Sequence, residues 1–367
     1  MKKLFITISI FILGIPFYSV NALEKTADIL KKNVVTTGDG FYEDNTVDGR
    51  YVYKGGNPNN YIRLGDDLYR IISLEKDGTI KVIKQKDIGS MAWDEKNARY
   101  SVNDEDFCTS EYGCKVWGSN TTTLDTNGNK VTQMPWMVNG TLKNLPDKEA
   151  TLNTYLNNDF YNSLNNDVKS LIVETIWNIG PTVSGPAGDT KTNLSETIKE
   201  ESAYKWKGKI ALMSAIDYVK ATTNSACTSV SAYRNPSCYN NSSSYNYLYS
   251  TNYAWTLSSH GGVHFVFGLS SYGMFYGLDA HQGDAVIPAF YLSSETTLNG
   301  EGTEINPYTI SNYIEESKNE ENNNEVNINN GQIVEVPSTS AFGSIVIVIL
   351  GIICVIGSIV INKKMTK

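Results

Sequence analysis

The sequence predicts a domain of mixed α+β class, and three observations support this prediction. Residues 67–84 alternate apolar and other side chains on both sides of Asp77-Gly78, a dipeptide typical of tight hairpin turns. Residues 152–176 carry apolar side chains at helical spacing. From residue 247 onward, glycines and aromatic residues alternate between closely spaced turn signals, which indicates a strand-rich region.

The hairpin is expected to lie in the centre of a sheet. Leu68, Ile72 and Leu74 occupy one face of its first strand, while Tyr69 and Ile71 occupy the other. Because both faces carry apolar side chains, both should be covered by other parts of the domain.

Two helices are predicted next. Apolar residues from Leu152 to Leu164 form the first, and those from Val168 to Ile176 form the second, with Asn165 or Asn166 as its N-cap. Residues 181–205 are rich in Gly, Pro, Ser and Thr and are interpreted as a loop.

The remaining helix and strands are predicted from four stretches of the sequence. KGKIALMSAIDYVKA indicates a buried strand that enters a short helix. The later strands are predicted in YLYSTNYAWTLSS, HFVFGLSSYGMFYGLDA and AVIPAFYLSS.

The first residues are typical of a secretory signal peptide spanning residues 1–22. Lys2 and Lys3 precede a mostly apolar run, and the small residues that end at Ala22 match a cleavage site. An uncleaved N-terminal anchor is the alternative, and Pro16 together with the small residues at the end of the run favours cleavage.

A second apolar run, residues 344–361, is predicted to be a transmembrane helix. Eighteen residues cover roughly 27 Å as a helix, just enough for a bilayer core. Lys363, Lys364 and Lys367 follow in the tail 362–367. Because basic residues stay on the cytoplasmic side, the rest of the chain is expected outside, as a domain displayed on the cell surface.

Three parts lie between these ends. Residues 23–49 are predicted to form a polar lead-in with one short helix. Residues 50–311 are predicted to form an extracellular domain, and residues 312–340 are predicted to form a stalk. The stalk is acidic, rich in Asn and poor in apolar groups. Such a composition cannot bury enough apolar surface to fold, so the stalk is predicted to be disordered.

The stalk ends in Val336-Pro337-Ser338-Thr339-Ser340, which resembles the Leu-Pro-x-Thr-Gly sorting signal of Gram-positive surface proteins. The resemblance implies that a sortase cuts after Thr339 and joins its carbonyl to a cell-envelope amine. A plain membrane anchor is the alternative, since Val336 and Ser340 replace the usual Leu and Gly.

Four of the five cysteines are predicted to be extracellular, while Cys354 lies in the apolar run. They form two close pairs, Cys108 with Cys114 and Cys227 with Cys238. Four cysteines allow three connectivities, and local pairing is favoured because short loops close readily. Free thiols are the alternative to these two disulfide bonds.

Five stretches together resemble a family of bacterial surface domains of unknown function, related to the C-type-lectin-like and formylglycine-generating-enzyme fold. These stretches are NYIRLGDDLYRIISLEKDGTIKVI, TLNTYLNNDFYNSLNNDVKSLIVETIW, KIALMSAIDYV, YLYSTNYAWTLSS and GDAVIPAFYLSSETTLNGEGTEINPYTI. The resemblance implies an α+β domain with a twisted antiparallel core sheet, two helices and long loops, and it implies no defined activity. The Glu-Pro-Asn or Gln-Pro-Asp triplet of calcium-dependent lectins is absent, and no cofactor is predicted.

Two features are candidates for function. Tyr253, Trp255, Tyr272 and Tyr276 could form a ligand-binding surface, because Tyr and Trp offer rigid contact area with a polar handle. The alternative is a structural aromatic core.

His260 and His264 have the spacing of a helical metal site, but the glycines between them make a helix improbable. No serine-nucleophile motif is present. Loop histidines without a catalytic role are the simpler interpretation.

The sequence therefore predicts a surface-displayed domain that recognises a glycan or protein ligand without catalysis, or that serves a structural role. An enzyme acting on surface polymers, with a site near His260 and His264, is the alternative. The formal net charge of −8 argues against nucleic acid as a partner.

Overall fold

The computed structural model describes residues 25–99, 108–138, 141–182, 193–260 and 265–310. The predicted signal peptide (1–22), stalk (312–340), sorting-like motif, transmembrane helix (344–361) and tail (362–367) lie outside the described residues. Among the helices that are described, none is both long and apolar enough to cross a membrane.

The chain folds as a mixed α+β protein whose sheets are mostly antiparallel. The main sheet has eight strands, and all its pairings are antiparallel. Six of them follow one another across the sheet in the order Gly40–Glu43, Tyr51–Lys54, Asp67–Leu74, Ile80–Lys84, Pro288–Leu292 and Ile172–Val173. Tyr61–Leu64 also pairs with Asp67–Leu74, and Ile210–Leu212 with Pro288–Leu292.

The predicted hairpin is confirmed, and so is its central position. Asp67–Leu74 and Ile80–Lys84 pair in antiparallel fashion, and Gly78 in the turn between them has a φ of 87°, a conformation that glycine adopts without strain. The sheet begins earlier than residue 50, because Gly40–Glu43 lies within the segment interpreted as a lead-in.

A second sheet has five strands, in the order Phe275–Asp279, Phe265–Leu269, Ala254–Ser259, Gly283–Ala285 and Ser90–Ala92. Its one parallel pairing joins Ala254–Ser259 to Gly283–Ala285. A three-stranded sheet contains Thr175–Asn178, Lys205–Gly208 and Thr123–Leu124. Three short ribbons pair Gln133–Val138 with Thr141–Asn144, Leu298–Asn299 with Thr309–Ile310, and Cys108–Thr109 with Gly113–Cys114.

The helices are short. The α-helices are Thr26–Lys31, Thr151–Tyr155, Tyr161–Ser163, Asn166–Leu171, Leu194–Glu201, Ala215–Lys220 and Pro236–Tyr239. A π-helical turn, Leu156–Phe160, joins the second to the third, and 3₁₀ turns occupy Ser231–Arg234 and Ser242–Ser244.

Two helix predictions need correction. The second predicted helix begins as expected, with the Asn165 side chain accepting a hydrogen bond from the Val168 amide at 2.8 Å. It ends at Leu171, because Ile172 and Val173 pair instead with the strand Pro288–Leu292. Residues interpreted as loop form the helix Leu194–Glu201, whose first turn is capped by the Asn193 side chain.

Both predicted disulfide bonds are present with local pairing. Cys108 is bonded to Cys114 across the short ribbon, and Cys227 is bonded to Cys238, which lies in the helix Pro236–Tyr239. All four cysteines are buried. Each bond therefore closes one of the two polar loops on itself.

Candidate ligand groove and the charged cavity beside it

A groove of 920 Å³ opens beside the first strands of the main sheet. Most side chains that line it carry hydroxyl or amide groups, and they come from residues 36–46, 193 and 222–228. We call it the polar groove. Its chemistry suits a ligand rich in hydroxyl groups, since side-chain hydroxyls and amides both donate and accept hydrogen bonds.

Lys220 and Asp44 form the charged part of the polar groove. The Lys220 ammonium lies 2.6 Å from the Asp44 carboxylate and 2.6 Å from the Thr46 hydroxyl. Burial by itself would raise the pKa of Asp44, but the Lys220 charge lowers it overall. The pair is therefore ionised and presents a fixed dipole to the groove.

Tyr42 supplies an aromatic side chain to the polar groove. Its hydroxyl donates to the Gly38 carbonyl, and the Lys54 ammonium lies 5.1 Å from the centre of its ring. These contacts fix the ring in place. Aromatic rings held beside hydrogen-bonding groups are well suited to the mixed apolar and polar faces of sugars.

A second, smaller cavity of 190 Å³ lies beside the groove and shares Lys220 with it. We call it the charged cavity. The Lys81 ammonium lies 2.6 Å from the Asp217 carboxylate, and Arg50 lies 3.4 Å from the other Asp217 oxygen. Arg50 also contacts Glu75 at 3.1 Å. All four side chains line this cavity.

Local sequence explains why Asp217 points into the charged cavity. Ser214 and Asp217 form a capping box at the start of the helix Ala215–Lys220, in which Asp217 accepts from the Ser214 amide at 2.8 Å. Lys81 sits in the apolar strand Ile80–Lys84, between buried residues. Its ammonium lies 4.8 Å from the centre of the Trp177 ring system.

Glu201 completes the cavity. It ends the helix Leu194–Glu201, is 4% exposed, and accepts a hydrogen bond from the Ser258 hydroxyl at 2.6 Å. Burial raises its pKa to about 7. A carboxyl group that exchanges protons near neutral pH can act as a general acid or base.

The raised pKa of Glu201 makes the free energy of unfolding depend on pH. The folded pKa of about 7 exceeds the ordinary value of 4.5, so folding favours the protonated form. The resulting stabilisation is complete below about pH 4.5 and is lost as the pH rises through about 7. We expect it to amount to on the order of 3 kcal/mol.

Denaturant titrations at several pH values between about 5 and 8 would measure this dependence. In the variant Glu201→Gln, the side chain at this position cannot ionise. The variant should therefore lack this contribution to the slope of the unfolding free energy against pH. A slope that is the same in wild type and variant would contradict the prediction.

The predicted tyrosine surface is only partly assembled. Tyr253 and Tyr272 are 48% and 64% exposed, and the rings of Tyr253 and Tyr276 meet edge to face at 5.3 Å. The assignment of Trp255 to this surface must be corrected. Trp255 is fully buried, and its indole N–H donates to the Met91 carbonyl at 2.9 Å. All six residues of its strand, Ala254–Ser259, are buried, which leaves no exposed face there.

His260 is buried at 6% exposure, and its ring lies 5.1 Å from that of Phe267. Burial, with the nearby charges of Lys115 and Arg234, lowers its pKa to about 4. It is therefore neutral at physiological pH. His264 lies outside the described residues, and the part of the chain that is described contains no cluster of three or more metal-ligating side chains.

Sequence reasoning missed the charged cavity entirely. A signal was present in two places, since Lys81 interrupts an apolar strand and Asp217 interrupts an otherwise apolar helix start. Charged residues are almost never fully buried unless they are paired. The partners themselves, Arg50 and Glu201, could not be assigned without the fold.

Comparison with known proteins gives one match. Residues 140–294 match a protein-family model described as a domain of unknown function, DUF6273. No curated protein matches the chain, and no solved structure does. The matched region contains Asp217, Glu201 and Lys220, whereas Arg50, Lys81 and Asp44 precede it.

Proposed function

We propose that this protein is an extracellular domain, displayed on a cell surface, that binds a carbohydrate in the polar groove without chemical turnover. The observation that carries the proposal is the lining of that groove: hydroxyl and amide side chains surround an ion pair and an aromatic ring. Sugars are recognised by such combinations of hydrogen-bonding and aromatic groups.

Surface display rests on the sequence. The signal-peptide pattern of residues 1–22 and the basic residues after 344–361 both favour an external location. The motif Val336–Ser340 supports covalent attachment to the envelope by a sortase, with plain anchoring as the alternative. The two disulfide bonds are consistent with an oxidising compartment.

We also propose a relationship to the C-type-lectin-like fold, supported by the mixed α+β class and the antiparallel main sheet. The alternative function, an enzyme with a site near His260 and His264, has less support. A buried imidazole with a pKa of about 4 is a weak base at neutral pH.

Binding to an oligosaccharide array by the full-length protein in detergent tests the proposal. We expect the double variant Asn45→Ala with Thr223→Val to lose at least about tenfold in affinity, because two hydrogen-bonding groups are removed. Both residues are exposed and line the polar groove, so the fold should be unaffected.

Tyr253→Ala is the matched control, since Tyr253 is exposed but does not line the groove. It should bind like wild type. If Tyr253→Ala abolishes binding and the double variant does not, the ligand lies on the tyrosine surface instead. The absence of binding to any oligosaccharide would refute carbohydrate recognition.

A further inference from the structure

The charged cavity brings an amine and a carboxyl group into contact where water is largely excluded. Lys81 Nζ lies 2.6 Å from Asp217 Oδ2, and the two side chains are 6% and 3% exposed. Lys81 lies on a strand of the main sheet, while Asp217 lies on a helix far along the chain. The carboxyl group of Glu201 lines the same cavity.

We propose that Lys81 and Asp217 are a site of spontaneous covalent modification, in which their side chains join in an intramolecular isopeptide bond with Glu201 as the acid–base group. The substrate of this reaction is the chain itself. The product is an amide that ties the strand Ile80–Lys84 to the helix Ala215–Lys220.

The reaction balances without any co-reactant. A proton first passes from the Lys81 ammonium to the Asp217 carboxylate, which gives a neutral amine and a neutral acid. The amine nitrogen then attacks Asp217 Cγ, and a carbon–nitrogen bond forms. Glu201 donates a proton to the departing oxygen and regains one from the nitrogen, so a carbon–oxygen bond breaks and one water molecule leaves.

The first step is the costly one, because each charge of the pair stabilises the other. Burial lowers the pKa of Lys81, but the Asp217 charge raises it overall; burial raises the pKa of Asp217, but the Lys81 and Arg50 charges lower it overall. The Lys81 ammonium lies 4.8 Å from the centre of the Trp177 ring system and 5.5 Å from that of the Tyr291 ring, and Ile176, Ile198 and Leu257 line the same space. These apolar surroundings offset part of the cost of the first step, because they disfavour charged groups. Burial of Glu201 keeps its pKa near 7, so it is available in both protonation states.

Charge balance is preserved in the product. Before reaction, the cations Arg50, Lys81 and Lys220 accompany the anions Asp44, Glu75 and Asp217. Amide formation removes one cation and one anion. Arg50 retains Glu75 at 3.1 Å, and Lys220 retains Asp44 at 2.6 Å.

A second buried pair offers an internal comparison. Lys220 and Asp44 are also 2.6 Å apart, but they line the open polar groove, and the Thr46 hydroxyl accepts a hydrogen bond from the same ammonium. We expect this pair to remain an ion pair.

Peptide mapping of the full-length protein tests the proposal. After reduction and alkylation of the cysteines, trypsin should release residues 77–84 joined to residues 210–220, with the combined mass reduced by one water molecule. Trypsin should not cut after Lys81, because its side chain is acylated. Cleavage after Lys81, with residues 77–81 and 210–220 recovered only as separate, unmodified peptides, would overturn the proposal.

Two variants separate the chemistry from other causes of the same mass loss. Lys81→Arg cannot form the bond, whereas cyclisation of Asp217 onto its own backbone would still proceed. A water loss at Asp217 that persists in Lys81→Arg, with no joined peptide in wild type, would therefore also overturn the proposal. Lys207→Arg, which keeps an exposed cation beside Glu174 at 2.7 Å and outside both joined peptides, should leave the joined peptide unchanged.

Glu201→Gln tests whether Glu201 is the acid–base group, because glutamine has the same shape but cannot exchange a proton as a carboxyl group does. A time course after refolding should show joining slowed by about 100-fold or more. Joining at the wild-type rate would overturn the role of Glu201. This experiment is independent of ligand binding in the polar groove, so either proposal can fail alone.

Discussion

Replacing Asp94 by alanine is expected to lower the free energy of unfolding by about 3–5 kcal/mol. Asp94 and Arg99 form a buried ion pair, with the Arg99 Nε 2.9 Å from the carboxylate and both side chains 1% exposed. Removing the carboxylate leaves a guanidinium buried without its counter-charge, and this is the main cost.

Asp94 also holds three segments of backbone together. One oxygen accepts from the Cys114 amide at 2.8 Å, and the other accepts from the Thr151 amide at 3.0 Å. These bonds link the first disulfide loop to the start of a helix. The variant therefore loses two hydrogen bonds to a charged group as well as the ion pair.

Urea denaturation of wild type and Asp94→Ala would measure the difference. Asp48→Ala is the matched control, because Asp48 is also paired with a cation, Lys76 at 2.6 Å, but on the exposed surface. Exposed ion pairs contribute little, so its unfolding midpoint should not change. Equal midpoints for Asp94→Ala and wild type would show that the buried pair is dispensable.

Trp93→Ala is expected to cost about 3–5 kcal/mol for a different reason. Trp93 is completely buried, and its ring meets that of Trp117 edge to face at 5.1 Å. Its indole N–H donates to the Thr256 carbonyl at 3.2 Å. Truncation leaves a large void and removes this hydrogen-bond donor from the Thr256 carbonyl in the core.

The same denaturation experiment measures this loss. Tyr272→Ala removes an aromatic ring that is 64% exposed and should leave stability nearly unchanged. Trp93→Phe should fall between wild type and Trp93→Ala, because it fills part of the void. If Trp93→Ala were as stable as wild type, the surrounding side chains would have to collapse fully into the void.

Local sequence patterns were sufficient to predict those helices and strands whose structure depends mainly on their own residues. The hairpin around Asp77-Gly78 and the helix capped by Asn165 follow from alternation and capping, which act over a few residues. The second helix was predicted too long because Ile172 and Val173 suit either structure, and their pairing with Pro288–Leu292 decides the outcome.

The candidate sites were harder to predict for the same reason. The polar groove and the charged cavity join residues from distant parts of the chain, such as Asp44 with Lys220 and Lys81 with Asp217. Only pairs close in sequence, such as Cys108 with Cys114, could be matched in advance. Trp255 was misassigned because the tyrosine-rich sequence before it, which includes Tyr253, has the composition of a binding surface.

The strand Pro288–Leu292 also has a consequence for how the chain acquires its structure. It pairs with Ile80–Lys84 on one side, a separation of roughly 200 residues, and with Ile172–Val173 and Ile210–Leu212 elsewhere. The centre of the main sheet therefore cannot close until nearly the whole described chain has been made. Such non-local contacts make folding slow. During that interval Ile80–Lys84 is an apolar strand paired only with Asp67–Leu74, and its free edge is prone to associate with other chains.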